Sequence, residues 1–207
     1  MVPLRLLVAA TLLLSLDGCA VFGHCDCAKA DKERIESRSG LPRSRVILNE
    51  GYSELYRDVS HIDYAEYILD VKVESGTVDE IMTGVSQYAA RVKDELERLG
   101  KAYPALQIHL DPLPEMEKRK RFAIGVDRAK EFAPVVGKGG AEFERTVLIA
   151  LQNGLNHERH MCKVLAQEEP EPGLKKFLID TEQHFDAWYE RIGEVLDRDY
   201  FRQPKTR

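Results

Sequence analysis

Residues 141–167 read AEFERTVLIALQNGLNHERHMCKVLAQ, and this stretch decides the fold class. Phe143, Val147, Leu148, Ala150, Leu151, Gly154, Leu155, Met161, Cys162 and Leu165 recur at steps of three and four. That is the period at which an α-helix presents one apolar face. Gly137-Lys138-Gly139-Gly140 precedes the stretch as a hinge, and Glu168-Glu169-Pro170-Glu171-Pro172-Gly173 follows it as a turn. A second periodic segment then runs from Leu174 to about Arg198, with Phe177, Leu178, Phe185, Trp188, Ile192 and Val195 on its apolar side. Together they predict a helical hairpin.

A matching hairpin lies upstream. Leu48, Tyr52, Leu55, Val59, Ile62, Glu66, Leu69 and Val73 form the stripe of a first long helix, which Gly76 breaks. Thr77 is placed to cap the next helix, with Asp79 and Glu80 in its first turn. Val78, Ile81, Val85, Tyr88, Val92 and Leu99 continue it to Gly100 and Pro104. Residues 100–139 lose the rhythm. Tyr103 to Pro114 reads as extended chain, and a shorter basic helix follows from Glu115 to Phe132. Its Phe122, Ile124, Val126 and Ala129 are positioned to pack on the other helices. Two hairpins joined by so long a link predict an all-α, ferritin-like four-helix bundle. In it the crossover between the second and third long helices contains the extra helix.

The chain begins differently. Arg5 precedes an apolar run, Leu6 to Leu16, of 11 residues. As a helix that run reaches about 16 Å, roughly half a bilayer's hydrocarbon core, so it reads as a signal peptide core rather than a span. It ends in Leu16-Asp17-Gly18-Cys19, which resembles the lipobox of bacterial lipoproteins, with Asp17 the departure. The resemblance implies a signal peptide at 1–18, lipid on Cys19, and anchoring that Ala20 makes compatible with the outer membrane, facing the periplasm. Residues 19–44 read as a flexible tether, 45–200 as the bundle domain and 201–207 as a tail. His24-Cys25-Asp26-Cys27 has the donor types for a soft metal ion, but no second cluster closes a four-ligand site, so these are read as linker thiols.

Composition bounds the function. Hydrophobic residues are 43% and charged residues 31%, which excludes a disordered tail and a polytopic membrane protein. The net charge of −5 supplies no global field for nucleic acid. Four cysteines are too few for a disulfide scaffold. No phosphate loop or nucleophile elbow is present. The basic run Glu117-Lys118-Arg119-Lys120-Arg121 reads as a solvated helix face, with anionic headgroups as the other possible contact.

A few ionisable residues fall at core positions. Glu66 interrupts the first stripe, and a buried carboxylate needs a partner, a proton or a metal. His157 continues the third helix's 143, 147, 150, 154 series, with Glu158 beside it and His160 three residues on. The fourth helix offers His184 and Asp180, the first offers Asp58 and His61, and Tyr88 lies in the second stripe. Glu66, His157 and His184 make a chemically sensible metal site, for a transition metal such as iron. The sequence nonetheless contains no Glu-x-x-His; Asp58-x-x-His61 is the nearest form. Hydrogen bonding within the bundle is the plainer reading, with no cofactor and no catalytic residue.

Ala65-Glu66-Tyr67-Ile68-Leu69, Lys72-Val73-Glu74-Ser75, Gly140-Ala141-Glu142-Phe143-Glu144 and Leu174-Lys175-Lys176-Phe177 resemble the short motifs of a bacterial family. Its members are envelope proteins with ferritin-like bundles and no assigned function. The resemblance covers about residues 60–196. Where that family tends to keep histidines, this chain has Tyr88, Leu155 and Trp188, and Glu144 stands where Asp is usual. Only Glu66 and Glu144 map onto its polar cluster. The expectation is a lipid-anchored envelope module, binding or structural, attached to membrane through Cys19, with its ligand or protein partner unassigned. The alternative is metal or oxygen handling through Glu66 with His157 or His184.

Overall fold

The computed structural model describes residues 40–63, 75–132 and 139–201. These residues are all-helical, with no strand among them. Helix α1 is Arg43–Asp63, α2 Gly76–Ala102, α3 Glu115–Phe132, α4 Gly140–Glu168 and α5 Pro172–Val195, after which a π-helical turn, Leu196–Phe201, closes the order. The signal stretch, Cys19, the thiols at 25 and 27, Glu66 and the tail past Phe201 lie outside the described residues. Residues 19–39 of the expected tether lie there too, and its last two residues, Arg43 and Ser44, already belong to α1.

Local chemistry sets the helix ends. Ser75, not Thr77, caps α2: its backbone is extended and its Oγ accepts from the Val78 N–H at 3.5 Å. Gly76 keeps helical torsions, so the first free donors fall where Ser75 reaches them. At the other end the Tyr103 N–H still donates to the Leu99 carbonyl at 2.8 Å before Pro104 stops the chain. Gly139 caps α4, and Gly140 has φ +55°, a torsion that side chains disfavour. Pro172 opens α5, where its missing N–H would have had no helical partner.

Packing follows the apolar stripes. Helix α1 packs on α2 and α4, α5 packs on α4 and α2, and the π turn lies against α4 and α5. The core draws Tyr52, Leu55 and Val59 from α1, Ile81, Val85 and Leu96 from α2, Phe143, Leu148 and Leu155 from α4, and Leu178, Phe185 and Ile192 from α5. Two glycines mark close approaches. A Cβ on Gly51 would stand 2.7 Å from Leu165 Cδ2, and one on Gly84 2.5 Å from Trp188 Cη2. Trp188, expected to be buried, is half-buried instead, its ring laid in the groove that Gly84 leaves.

The link between α2 and α4 has two characters. Its extended part is docked: Leu106 and Ile108 are buried in the core. Asn49 Nδ2 donates to the Ala105 carbonyl at 2.9 Å, and the Leu110 N–H donates to Ser53 Oγ at 3.1 Å. Side chains of α1 thus satisfy backbone groups that no helix or strand serves. Helix α3 is different, because none of its described side chains belongs to the core. The expected packing of Phe122, Ile124 and Val126 is therefore not found; Ile124 is exposed and the other two are half-buried.

Candidate functional site

Buried polar residues gather where α1 meets α4. Glu54, Asp58 and His61 follow one another on α1 at steps of four and three, so they share a face. Glu158 of α4 is buried against them, and Arg121 reaches in from α3. The placement of Glu158 corrects the reading of α4. The buried positions there are 143, 144, 147, 148, 155, 158, 162, 165 and 166. Past Gly154 the buried register runs through Leu155, Glu158 and Cys162, and His157 falls on the exposed side.

Charges are matched inside the cluster. Arg121 Nη2 lies 2.5 Å from Glu54 Oε1, and its Nη1 donates to both Asp58 oxygens at 3.2 and 3.4 Å. Arg57 pairs with Glu54 and stands 3.9 Å from Asp58 Oδ1. Two guanidinium groups thus neutralise two carboxylates. Glu158 has no such partner. Burial first, then the neighbouring charge of Asp58, pushes its carboxyl well above the usual carboxylate range. The interaction with Asp58 acts in the same direction, favouring the protonated form of Glu158. His61 is kept neutral as well: burial, helped by Arg57 and Arg121, lowers its pKa to about 4.

A second buried carboxylate closes the α4–α5 turn. Glu169 is fully buried and accepts two bonds from Arg45, at 2.9 and 2.6 Å. The Tyr52 hydroxyl and the Glu171 N–H donate to it at 2.9 and 3.0 Å. Burial works against its charge, but these four donors outweigh it and hold its pKa below the ordinary value. The same contact pushes the Tyr52 hydroxyl upward, with burial the larger cause. At the far end of the helices Glu144 Oε1 accepts from the Ser75 N–H at 2.7 Å and Oε2 from the Tyr200 hydroxyl at 2.8 Å. The Glu144 carboxylate thus joins the start of α2 to the π turn.

The residues singled out in sequence are dispersed. Glu66 lies outside the described residues. His157 is exposed. His184 is exposed too, its ring stacked on Tyr88 at 4.8 Å and its Nδ1 bonded to the Asp180 carbonyl at 2.8 Å. Among the described residues no group of three His, Cys, Asp or Glu side chains stands in a metal-holding arrangement. Sequence reasoning passed over Glu54, Arg57 and the Arg45–Glu169 pair. The available signal was the i, i+4 spacing of Glu54 and Asp58 beside the apolar stripe.

A surface depression of about 540 Å³ lies apart from the cluster, lined by the end of α2 and the extended link, with Glu97, Lys101 and His109 on its rim. The interior cluster joins three helices, and the arginines already occupy the counter-charge positions. Comparison with known proteins adds no relative: no protein-family model, curated protein or solved structure matches this chain.

Proposed function

We propose that the chain is a lipid-anchored protein of the bacterial cell envelope, a ferritin-like four-helix bundle acting as a binding or structural module on the periplasmic side of the outer membrane. The contacts of α1 with α2, α2 with α5, α5 with α4 and α4 with α1 close a ring, which supports the bundle. The long link bearing α3 supports the crossover. Leu16-Asp17-Gly18-Cys19 supports the anchor. The observation that carries the reading is the balanced interior. Arg57 and Arg121 meet Glu54 and Asp58, and burial favours the protonated form of Glu158, so the seam joins helices and leaves the outer faces to meet partners.

Two measurements test this. Labelled fatty acid is incorporated by the wild type, and Cys19→Ser leaves the membrane fraction; a Ser form that stays behind overturns the anchor. Protein purified without chelator carries no stoichiometric transition metal, and its melting temperature is unchanged by chelator. Stoichiometric metal that disappears in Glu66→Ala overturns the module reading in favour of metal handling.

A further inference from the structure

Helix α3 is fastened to the other helices by one side chain. Among the described residues, the ion pairs and hydrogen bonds from α3 to another helix all come from Arg121. Its Nη2 lies 2.5 Å from Glu54 Oε1, and its Nη1 donates to Asp58 Oδ1 at 3.2 Å. Lys118 pairs with Asp111, which belongs to the link leading into α3, and the remaining pairs of α3 lie within the helix. Gly125, one turn past Arg121, is buried but has no side chain to contribute. No described side chain of α3 belongs to the core or to the half-buried apolar residues packed against it. The link is held on α1 as far as Leu110, whose N–H donates to Ser53 Oγ. Beyond that point the described ties are ionic, the condition under which a segment opens locally ahead of the rest.

His61 lies beside this fastening, one turn past Asp58. Glu54 and Arg57 face it from its own helix and Arg121 from α3. Glu158 faces the same carboxylates from α4, and Asp111 of the link stands 3.8 Å from Arg57. On the α2 side, Ser86 Oγ donates to the Ile62 carbonyl at 3.1 Å and holds this end of α1 in place. Two guanidinium groups already match Glu54 and Asp58, so a proton on His61 adds a third cation to the cluster. Like charges so close repel. Arg57 shares α1 with His61 and stays; Arg121 sits on the helix that it alone fastens. We propose that α3 is a strap that lifts from α1 when His61 takes up a proton, while α1, α2, α4 and α5 stay packed. Lifting relieves the burial and removes the Arg121 charge, two of the three causes that lower the His61 pKa to about 4. The lifted form therefore binds the proton more readily than the docked form, and falling pH favours it. Arg121 works against the proton of Glu158 as well, so Glu158 does not oppose the release. This device goes beyond the module reading and is independent of the lipid anchor.

The test is backbone hydrogen exchange of the protein as purified from cells, read as protection factors, which divide out the intrinsic pH dependence of exchange. Between pH 7 and 5 the protection of residues 115–132 is expected to fall, by up to about tenfold for each pH unit below 6.5. Helices α4 and α5 are expected to keep theirs. The near-UV circular dichroism of Trp188, seated against Gly84 of α2, is expected to stay unchanged. H61Q is expected to hold α3 at its pH 7 protection throughout. R121Q is expected to show low protection in α3 already at pH 7, with no further response to acid. Wild-type protection of α3 that stays constant from pH 7 to 5 overturns the strap, and so does a loss shared equally by α3, α4 and α5. An acid response that survives in H61Q, or wild-type protection of α3 in R121Q at pH 7, overturns it too. If R121Q does not fold, the wild type and H61Q decide between them.

Discussion

Glu158 and Glu169 are both buried on or at the end of α4, 11 positions apart, and their acidities are shifted in opposite directions. Glu169 is surrounded by donors: Arg45 twice, the Tyr52 hydroxyl and the Glu171 N–H. Glu158 faces Asp58 and Glu54, with Arg121 already engaged by both. Glu169 is held below the ordinary carboxylate range and Glu158 is pushed above it. Burial alone would neutralise both, because it disfavours any charge. What decides is whether unengaged donors converge on the carboxyl.

The largest test of this comparison is Arg45→Ala. It leaves a fully buried carboxylate without its cation, and removing one partner of a buried pair costs about 3 kcal/mol. Urea unfolding at neutral pH should show that loss. A change below about 1 kcal/mol would mean that Glu169 can take up a proton as Glu158 does, and the contrast would collapse. The pH dependence has a defined sign. A folded pKa below 4.5 makes the Glu169 contribution present above that value and lost as pH falls through the folded value.

Glu158→Gln should act in the other direction. The folded pKa of Glu158 lies above 4.5, so the native state keeps a proton that the unfolded chain releases. Its effect on stability is therefore least costly below 4.5 and grows as pH rises. The amide keeps a donor for Asp58 without that penalty. The variant should be more stable than wild type at pH 8, with the gain shrinking toward pH 5. Equal stability of the two proteins at both pH values would show Glu158 to be ionised.

His61 sharpens the comparison from the cationic side. Its folded pKa of about 4 lies below the ordinary 6.5, so the unfolded chain binds the proton first. Stability contributed by neutral His61 is present above pH 6.5 and lost on acidification toward 4. His61→Gln should flatten that acid-side slope, by at most about 1.4 kcal/mol per pH unit, in calorimetric or urea titrations. The smallest effect expected is Tyr52→Phe, which deletes one of four donors to Glu169. It should cost about 1 kcal/mol and raise the Glu169 pKa, read by carboxyl NMR titration.

Much of the fold was legible because long apolar stripes at helical period allow few alternatives. The boundaries of α3, Glu115 to Phe132, follow from proline and glycine placement, whereas the turn expected at Glu168 to Gly173 shortens to residues 169–171 because Pro172 and Gly173 already belong to α5. The α2 cap lies two residues before the Thr77 that local sequence favours, because Gly76 continues the helix instead of breaking it. His157 looks like a seam position in sequence because the series through Val147 and Gly154 extrapolates to it. The buried face instead shifts to Glu158, one residue on, where α4 meets α1. The interior cluster was out of reach for a plainer reason. Arg121 sits in a run of cations indistinguishable in sequence, and only docking of α3 against α1 turns that one side chain inward.

By itself the sequence determined that this chain is helical, where its turns fall and that its long helices carry apolar faces, because period and turn chemistry are local properties. The tertiary structure decided in which direction the acidity of each buried carboxyl shifts. Ionisation depends on the donors that other helices bring within hydrogen-bond reach, and those donors lie as far away in the chain as Arg45 is from Glu169.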